Sequence, residues 1–143
     1  MFKKFLSALL VSSLWLSGAA MAQTKQIKVG VIFDMSGPLA AGGSNASYLG
    51  TKYAIDLINE RGGVEGHRIV PIYVDAQSKT EVAINETERL LNQEKVDVIM
   101  GVFSSAQCVP MAQRVDQAKK FMWANVCVSS AVFKDKNLRN VFR

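Results

Sequence analysis

The sequence predicts an α/β fold in which a parallel sheet carries helices on both faces. Three observations predict it. Short runs rich in valine and isoleucine alternate with segments of helical periodicity, in the order βαβαβαβ from residue 26 onward. The intervening segments are long enough for the right-handed helical crossovers that parallel strands need. Without the first 22 residues about 120 remain, the size of one domain able to bury about two-thirds of its surface.

The first 22 residues have the order of charge, apolar core and small residues that is typical of a secretory signal peptide. Lys3-Lys4 precede an apolar run from 5 to 16, and Ala20-Met21-Ala22 fits the cleavage pattern. The alternative is a membrane anchor, but a run of about a dozen residues is shorter than the roughly 20 that a spanning helix needs. We therefore expect a mature chain of residues 23–143 outside the cytosol, with no stable membrane insertion after cleavage.

Four segments have the composition of β-strands: 26–33, 68–75, 96–100 and 121–126. Pro71 lies in the second and has no amide hydrogen to donate, so this strand is predicted at an edge of the sheet. Asp34 follows the first strand and Asp75 closes the second. We expect both carboxylates to stabilise turns by accepting hydrogen bonds from loop amides.

Three helices are predicted between the strands. The first covers 47–61 and ends at Gly62-Gly63. The second begins at 78–81, where SKTE matches the S-x-x-E capping box. The third is predicted to begin near Cys108, because Pro110 lacks an amide hydrogen and suits a first turn. The residues that share one face of the first helix are Gly50, Ala54, Leu57, Ile58 and Arg61.

Two serine pairs follow the third and fourth strands. Ser104-Ser105 ends the stretch VIMGVFSS, and Ser129-Ser130 lies in the loop after residue 126. Helix capping is the ordinary role of a serine in such a place. However, ligands of open α/β sheets bind at the carboxyl ends of the strands, and the amides at a helix start attract anionic groups. The two pairs therefore favour a polar pocket for a small charged molecule over capping alone.

The two cysteines, Cys108 and Cys127, belong to a chain that is expected to leave the reducing cytosol. A disulfide between them is permitted there, and in the chain-entropy model it would contribute roughly 3 kcal/mol. The alternative is two buried, unpaired thiols, because free cysteine behaves as a small hydrophobic residue.

Charge and motif content argue against several functional classes. The net charge of +5 falls to +3 without Lys3-Lys4, and the remaining basic residues are scattered, so no nucleic acid partner is expected. The single histidine, His67, lies in a turn far in sequence from either serine pair, which disfavours a catalytic triad. No G-x-S-x-G elbow, zinc-ligand spacing or G-x-G-x-x-G motif is present. The chain is therefore not expected to be an enzyme or to bind a metal or cofactor.

Three segments together resemble a known family: KVGVIFDMSGPLAAGG, GTKYAIDLINERGGVEGHRI and VDAQSKTEVAI. They are similar to the solute-binding proteins of branched-chain amino acid ABC importers, which have the type I periplasmic-binding fold of the leucine-binding protein. The resemblance implies that residues 23–143 form a Rossmann-like, flavodoxin-like amino-terminal lobe and that the second lobe is absent. It further implies a periplasmic protein that captures a small amino acid or amide-like ligand between two lobes and delivers it to a membrane permease.

The resemblance also implies a ligand-binding set. The family's loop after strand three matches Phe103, Ser104 and Ser105. Its loop after strand four matches Cys127 and Ser129, or Ser130 when helix three is aligned with a one-residue insertion. Such groups supply donors for a carboxylate and acceptors for an ammonium group, as a zwitterion needs.

The sequence departs from the family pattern in two places. Ala41-Gly42-Gly43 stands where amino acid binders carry an aromatic residue, and Gln77 and Ser104 stand where they can carry a cysteine pair. The ligand therefore remains open among amino acids, small amides and aromatic acids. An exported sensory domain of the same fold is the first alternative function. A flavodoxin-like phosphoacceptor at Asp34 or Asp75 is less favoured because phosphodonors are cytosolic, and a hydrolase is less favoured because His67 lies far in sequence from either serine pair.

Overall fold

The computed structural model describes residues 25–143, so the predicted signal peptide lies outside the described residues. Its strands are β1 (Gln26–Phe33), β2 (Arg68–Asp75), β3 (Val98–Gly101), β4 (Phe121–Trp123) and β5 (Val141–Phe142). Its α-helices are α1 (Asn45–Glu60), α2 (Thr80–Asn92) and α3 (Ser105–Gln117). The strands form one parallel sheet in the order β2-β1-β3-β4-β5. The predicted α/β fold class is confirmed.

The order of the strands reverses at β1, which lies between β2 and β3. β2 is an edge strand, as Pro71 predicts, and it pairs with β1 over its full length. Because all strands run in the same direction, the loops that follow β1, β2, β3 and β4 meet at one rim. We call this the carboxyl rim.

Helices lie on both faces of the sheet, with a core under each. The smaller core lies under α1 and contains Val29, Val31, Phe33, Ile55 and Ile69. The larger core lies under α2 and α3, and its biggest fully buried side chains include Ile32, Leu90, Ile99, Met111 and Met122. Successive strand residues point to opposite faces, so β1 supplies Val31 to one core and Ile32 to the other.

The face that carries α1 is only half covered. α1 packs over β1 and β2, whereas the aromatic side chains of β4 and β5 on the same face remain in contact with water. Phe121, Trp123 and Phe142 are 53%, 48% and 44% exposed. The rings of Phe121 and Phe142 stack with centroids 5.6 Å apart. We call these three residues the aromatic sheet face.

The first helix differs from the sequence prediction. It begins at Asn45 instead of residue 47, and an irregular π-helical segment, Ala40–Ser44, precedes it. Of the residues predicted to share one face, Gly50, Ala54 and Ile58 are exposed, and Ile55 is the buried residue of the helix. The physical reason is the half-covered sheet, because much of the side of α1 that these residues occupy has no described element against it.

The start of α2 also differs. Lys79 is its N-cap residue, without a side-chain capping bond, so the predicted capping box at Ser78 is wrong. Ser78 has φ +58°, outside the extended region that an N-cap residue adopts. Its hydroxyl instead donates to the Ser36 carbonyl oxygen at 3.0 Å and accepts from the Leu39 amide at 3.0 Å.

The predicted start of α3 near Cys108 is wrong as well, because the helix begins at Ser105 and contains Pro110. The amide hydrogen that proline lacks would have bonded to the carbonyl of Ala106, which is an exposed residue whose carbonyl water can satisfy. β4 is shorter than predicted, and β5 was not predicted. None of the described helices is both long and apolar enough to span a bilayer.

Candidate functional site

The carboxyl rim is organised around two aspartates that end the first two strands. Asp34 is fully buried, and its Oδ1 accepts hydrogen bonds from the Ser78 amide and the Gln107 side-chain amide, both at 2.8 Å. Its own amide donates to the Ser44 hydroxyl at 2.7 Å. Asp34 therefore joins the loops after β1 and β2 to the first turn of α3.

Asp75 holds the loop after β1 from the other side. Its Oδ1 accepts from the amides of Met35, Ser36 and Gln77 at 2.9, 3.2 and 2.8 Å, and its Oδ2 accepts from the Ser36 hydroxyl at 2.6 Å. Burial acts to raise the pKa of this carboxyl, but the hydrogen bonds from Ser36, Gln77 and Met35 outweigh burial and lower the pKa below its usual value. These contacts match the turn-stabilising role predicted for the two aspartates.

Gly37 shows how closely these two loops approach. A Cβ atom at this residue would lie 2.6 Å from the Ser78 hydroxyl oxygen, and its φ of +78° lies in the left-handed region. Only glycine fits both conditions without strain. The loop after β1 is therefore rigidly seated against the loop after β2.

The Ser104-Ser105 pair lies at the start of α3. Ser104 is the N-cap residue, and its carbonyl accepts from the amides of Gln107 and Cys108 at 3.2 and 2.9 Å. Its half-buried hydroxyl makes no capping hydrogen bond. The Ser105 hydroxyl accepts from the Ser129 amide at 3.3 Å. The structure thus brings the loops after β3 and β4 into direct contact, one through Ser105 and the other through Ser129.

The second serine pair divides its roles. The Ser129 hydroxyl accepts from the Ala131 amide at 3.2 Å and caps a short 3₁₀ turn, Ser130–Val132. Ser130 is exposed, and the described contacts do not join it to the first pair. Capping, the simpler alternative, therefore applies to the hydroxyl of Ser129 but not to that of Ser104.

The two cysteines tie the same loops together covalently. Cys108 and Cys127 form a disulfide in the structure, with Cα atoms 6.2 Å apart, and both residues are fully buried. The ring of Phe103, a residue predicted to bind the ligand, packs against the smaller core. A Cβ atom at Gly43 would lie 3.1 Å from that ring, so the glycine makes room for it.

An apolar groove of about 400 Å³ lies elsewhere, between α1 and the half-covered sheet face. None of the rim serines lines it, so it does not coincide with the predicted binding residues. Its walls include Ala54, Ile55 and Ile58 of α1 and Met100 and Trp123 of the sheet.

His67 lies outside the site. It precedes β2 and so belongs to the opposite, amino-terminal rim of the sheet, where its Nδ1 contacts the carbonyls of Val64 and Glu65 at 3.2 and 3.1 Å. His67 is therefore too far from the rim serines, at the opposite end of the sheet, to exchange a proton with them.

The sequence analysis did not single out Gln107, although its side chain is the buried polar one at the start of α3.

A parallel sheet with this strand order, and a rim that presents serines and helix-start amides, defines a ligand-binding α/β lobe. The sequence profile of the family described as "Periplasmic binding protein" matches residues 26–143. The chain belongs to this family, and the predicted family resemblance is confirmed.

Curated relatives agree with this assignment. Leu/Ile/Val-binding protein homolog 7 of Brucella suis biovar 1 (strain 1330) is 37% identical over 141 residues, which cover 99% of this chain and 34% of the relative. The "Amino acid binding protein" of Pseudomonas aeruginosa is 31% identical over 124 residues, which cover 82% of this chain and 31% of the relative. The chain therefore spans about a third of the length of the curated relatives it matches, and these relatives are binding proteins.

Solved structures have the same lobe. The branched-chain amino acid transporter substrate-binding protein LivJ of Streptococcus pneumoniae, in complex with isoleucine, superposes with a TM-score of 0.76 at 29% identity. The alignment covers 82% of this chain and 33% of that one. An ABC transporter solute-binding protein of R. palustris, in complex with 4-hydroxybenzoate, superposes with a TM-score of 0.67 at 29% identity, covering 82% of this chain and 31% of that one.

Proposed function

We propose that this chain is the amino-terminal lobe of an extracytoplasmic solute-binding protein, which captures a small amino acid or amide-like ligand for an ABC importer. The observation that carries the proposal is the contact between the Ser105 hydroxyl and the Ser129 amide. This contact brings two serine loops from neighbouring strands to one point of the carboxyl rim. A diffusible ligand can reach both loops at once there, whereas two separate caps would not need to meet.

The proposed site can recognise a carboxylate. Ser105 and Ser129 each use an oxygen lone pair as acceptor, so each keeps its hydroxyl proton for donation. Ser104 makes no capping bond and adds a third hydroxyl. The amides at the start of α3 lie at the positive end of a thirteen-residue helix, which favours an anionic group. Backbone carbonyls of Phe103 and Cys127 are the proposed acceptors for an ammonium group.

The choice between Ser129 and Ser130 follows from the same contacts. Ser129 touches Ser105, whereas Ser130 begins the 3₁₀ turn and is exposed. We therefore assign Ser129 to the ligand and give Ser130 no direct contact with it.

The ligand class is proposed from the chemistry that the relatives share. The isoleucine of one solved relative and the 4-hydroxybenzoate of another each carry a carboxylate but differ in the rest of the molecule. A rim that binds the carboxylate and leaves the remainder to other residues suits both. We therefore narrow the proposal to a carboxylate-bearing ligand, with amino acids first and aromatic acids second, and place a simple amide last.

The bare aromatic sheet face supports the proposal that residues 23–143 are one lobe of a larger protein. Phe121, Trp123 and Phe142 together form an apolar surface beside the groove under α1, and parallel sheets are normally covered on both faces. The relatives are about three times as long as this chain. We propose that later residues of the full-length protein cover this face and form the second lobe, that a signal peptide at 1–22 places the protein in the periplasm, and that its partner is a membrane permease.

A thermal-shift panel on the full-length secreted protein tests the ligand class. The panel contains leucine, isoleucine, 4-hydroxybenzoate and acetamide, and 3-methylbutylamine serves as the decarboxylated control for leucine. We expect at least one carboxylate to raise the melting temperature and the amine to leave it unchanged. Equal shifts with leucine and 3-methylbutylamine, or shifts with acetamide alone, would contradict carboxylate recognition.

Weak binding by the isolated lobe is a second expected outcome. Residues 23–143 alone lack the contacts and the exclusion of water that a second lobe supplies. Calorimetry on this portion is therefore expected to show no binding at micromolar ligand concentrations. Micromolar or tighter binding would show that one lobe suffices.

A further inference from the structure

The first turn of α3 is bonded to the loops after β1 and β4, and through Asp34 it is connected to the loop after β2. Ser105 and Cys108 connect it to the loop after β4, through the Ser129 amide and the disulfide. The connection to the loops after β1 and β2 is made by one side chain, Gln107, whose amide donates to Asp34 Oδ1 at 2.8 Å. Gln107 and Asp34 are 1% and 0% exposed, so this bond is shielded from water.

We infer that Gln107 is a positioning residue for the ligand site: through its bond to Asp34 it fixes Ser104 relative to the loop after β1. The inference rests on the proposed function only in naming the rim as a ligand site. The geometry of the link is independent of any ligand.

Gln107 acts on Ser104 through the backbone. The Gln107 amide donates to the Ser104 carbonyl at 3.2 Å, so the residue is bonded to Ser104 on one side and to Asp34 on the other. Asp34 Oδ1 in turn accepts from the Ser78 amide, which brings in the loop after β2. A displacement of the Gln107 side chain would therefore move the helix start away from both loops.

The chemistry of this position requires an amide. The remaining oxygen of the carboxylate, Asp34 Oδ2, and the single oxygen of the amide, Gln107 Oε1, are both buried without a hydrogen-bond partner among the described residues. The donated hydrogen bond is therefore the polar contact that orients the Gln107 side chain. An apolar side chain would leave Asp34 with one donor fewer, and a glutamate would place a second carboxylate beside it.

Amide hydrogen exchange measures the effect without a ligand. The test uses Gln107→Met, which keeps the length of the side chain, Gln107→Glu, and the exchanged pair Asp34→Asn with Gln107→Glu. In the exchanged pair the side chain at 34 can turn so that its new amide donates to the new carboxylate at 107, which replaces the bond that Gln107 donates to Asp34 Oδ1. Gln117→Met, an exposed position in the last turn of α3, is the matched control.

We expect both single changes at Gln107 to speed exchange of the hydrogen-bonded rim amides, those of Gln107, Cys108, Met35, Ser36 and Leu39, by roughly 10- to 100-fold, the effect of losing a buried bond to a charged group. Amides inside β1 and β3 should exchange as in the parent, and the exchanged pair should recover most of the protection. Unchanged rim amides, uniform acceleration across the sheet, loss of the fold in Gln107→Met, or an exchanged pair no better than Gln107→Glu would each overturn the inference.

A binding measurement separates this inference from the proposed function. Isoleucine and leucine are titrated into the full-length protein and its Gln107→Met variant, with an expected loss of affinity of about tenfold and a melting temperature close to that of the parent. If the parent protein binds neither carboxylate, the proposed function is contradicted, and the hydrogen-exchange result alone decides whether Gln107 fixes the helix start to the loop after β1. Parent and variant that bind equally well contradict the positioning role alone.

Discussion

The loop after β1 depends on the carboxylate of Asp75, and Asp75→Asn measures this dependence. Asparagine keeps one acceptor oxygen for the amides of Met35, Ser36 and Gln77 but replaces the oxygen that accepts from the Ser36 hydroxyl. One bond is lost, and three charge-assisted bonds become neutral ones. Because Asp75 is only partly buried, we expect a loss of about 1–2 kcal/mol in the free energy of unfolding at pH 7.

The pH dependence of this loss follows from the lowered pKa of Asp75. The folded state favours the ionised carboxyl, so its stabilisation is complete above the unfolded-state pKa near 3.8. The stabilisation disappears as the pH falls through the lower pKa of the folded state. The parent and Asp75→Asn should therefore differ at pH 7 and converge as the carboxyl is protonated.

Urea unfolding of residues 23–143, followed by circular dichroism at pH 7 and at pH values down to the limit of folding, measures both effects. Asp135→Asn is the control, since asparagine tolerates the positive φ of 56° at this residue and Asp135 makes no side-chain bond to another residue within 25–143. A difference between parent and Asp75→Asn that is the same at every pH, or a variant as stable as the parent at pH 7, would refute the reasoning.

Three further changes have expected effects on stability; the first two are measured by urea unfolding and the third by amide hydrogen exchange. Gly101→Ala should destabilise by more than about 1 kcal/mol, because Gly101 has φ +127° and an added Cβ would collide with the Ile32 carbonyl; an unchanged midpoint contradicts this. Leu90→Ala should cost about 2–5 kcal/mol, as Leu90 is fully buried, and a loss below 1 kcal/mol would mean that the core closes over the cavity. Asp116→Ala should release β5, because Asp116 accepts from Asn140 and Arg139, bonds that lower its pKa; faster exchange of the Met122 amide, which donates to the Asn140 carbonyl, is expected at pH 7, and no change is the contrary result.

Four of the strands, their parallel direction and the edge position of β2 could be predicted from the sequence because their signals are local. Val and Ile alternate in β1, and Pro71 alone places β2 at an edge. The family resemblance could also be recognised from the sequence, because it rests on contiguous segments, and the match to the family over residues 26–143 confirms it. β5 gave no such signal, since two residues are too few to show alternation.

Features that depend on distant partners could not be predicted. Pro110 was expected in a first turn, yet the helix extends past it because the freed carbonyl lies at an exposed residue. Ser78 was expected to cap α2, but Ser36 and Leu39, some 40 residues earlier in the chain, engage its hydroxyl. The bond between Asp34 and Gln107 joins residues 73 positions apart, and no local pattern marks it.

Titration calorimetry of Ser104→Ala in the full-length protein tests the central claim most directly, using the carboxylate that gives the largest thermal shift. The claim is that the rim serines bind the ligand's carboxylate. Loss of a hydrogen bond to a charged group should weaken binding by about 10- to 100-fold, while Ser130→Ala should bind like the parent. Parent affinity in Ser104→Ala, or an equal loss in both variants, would contradict the account.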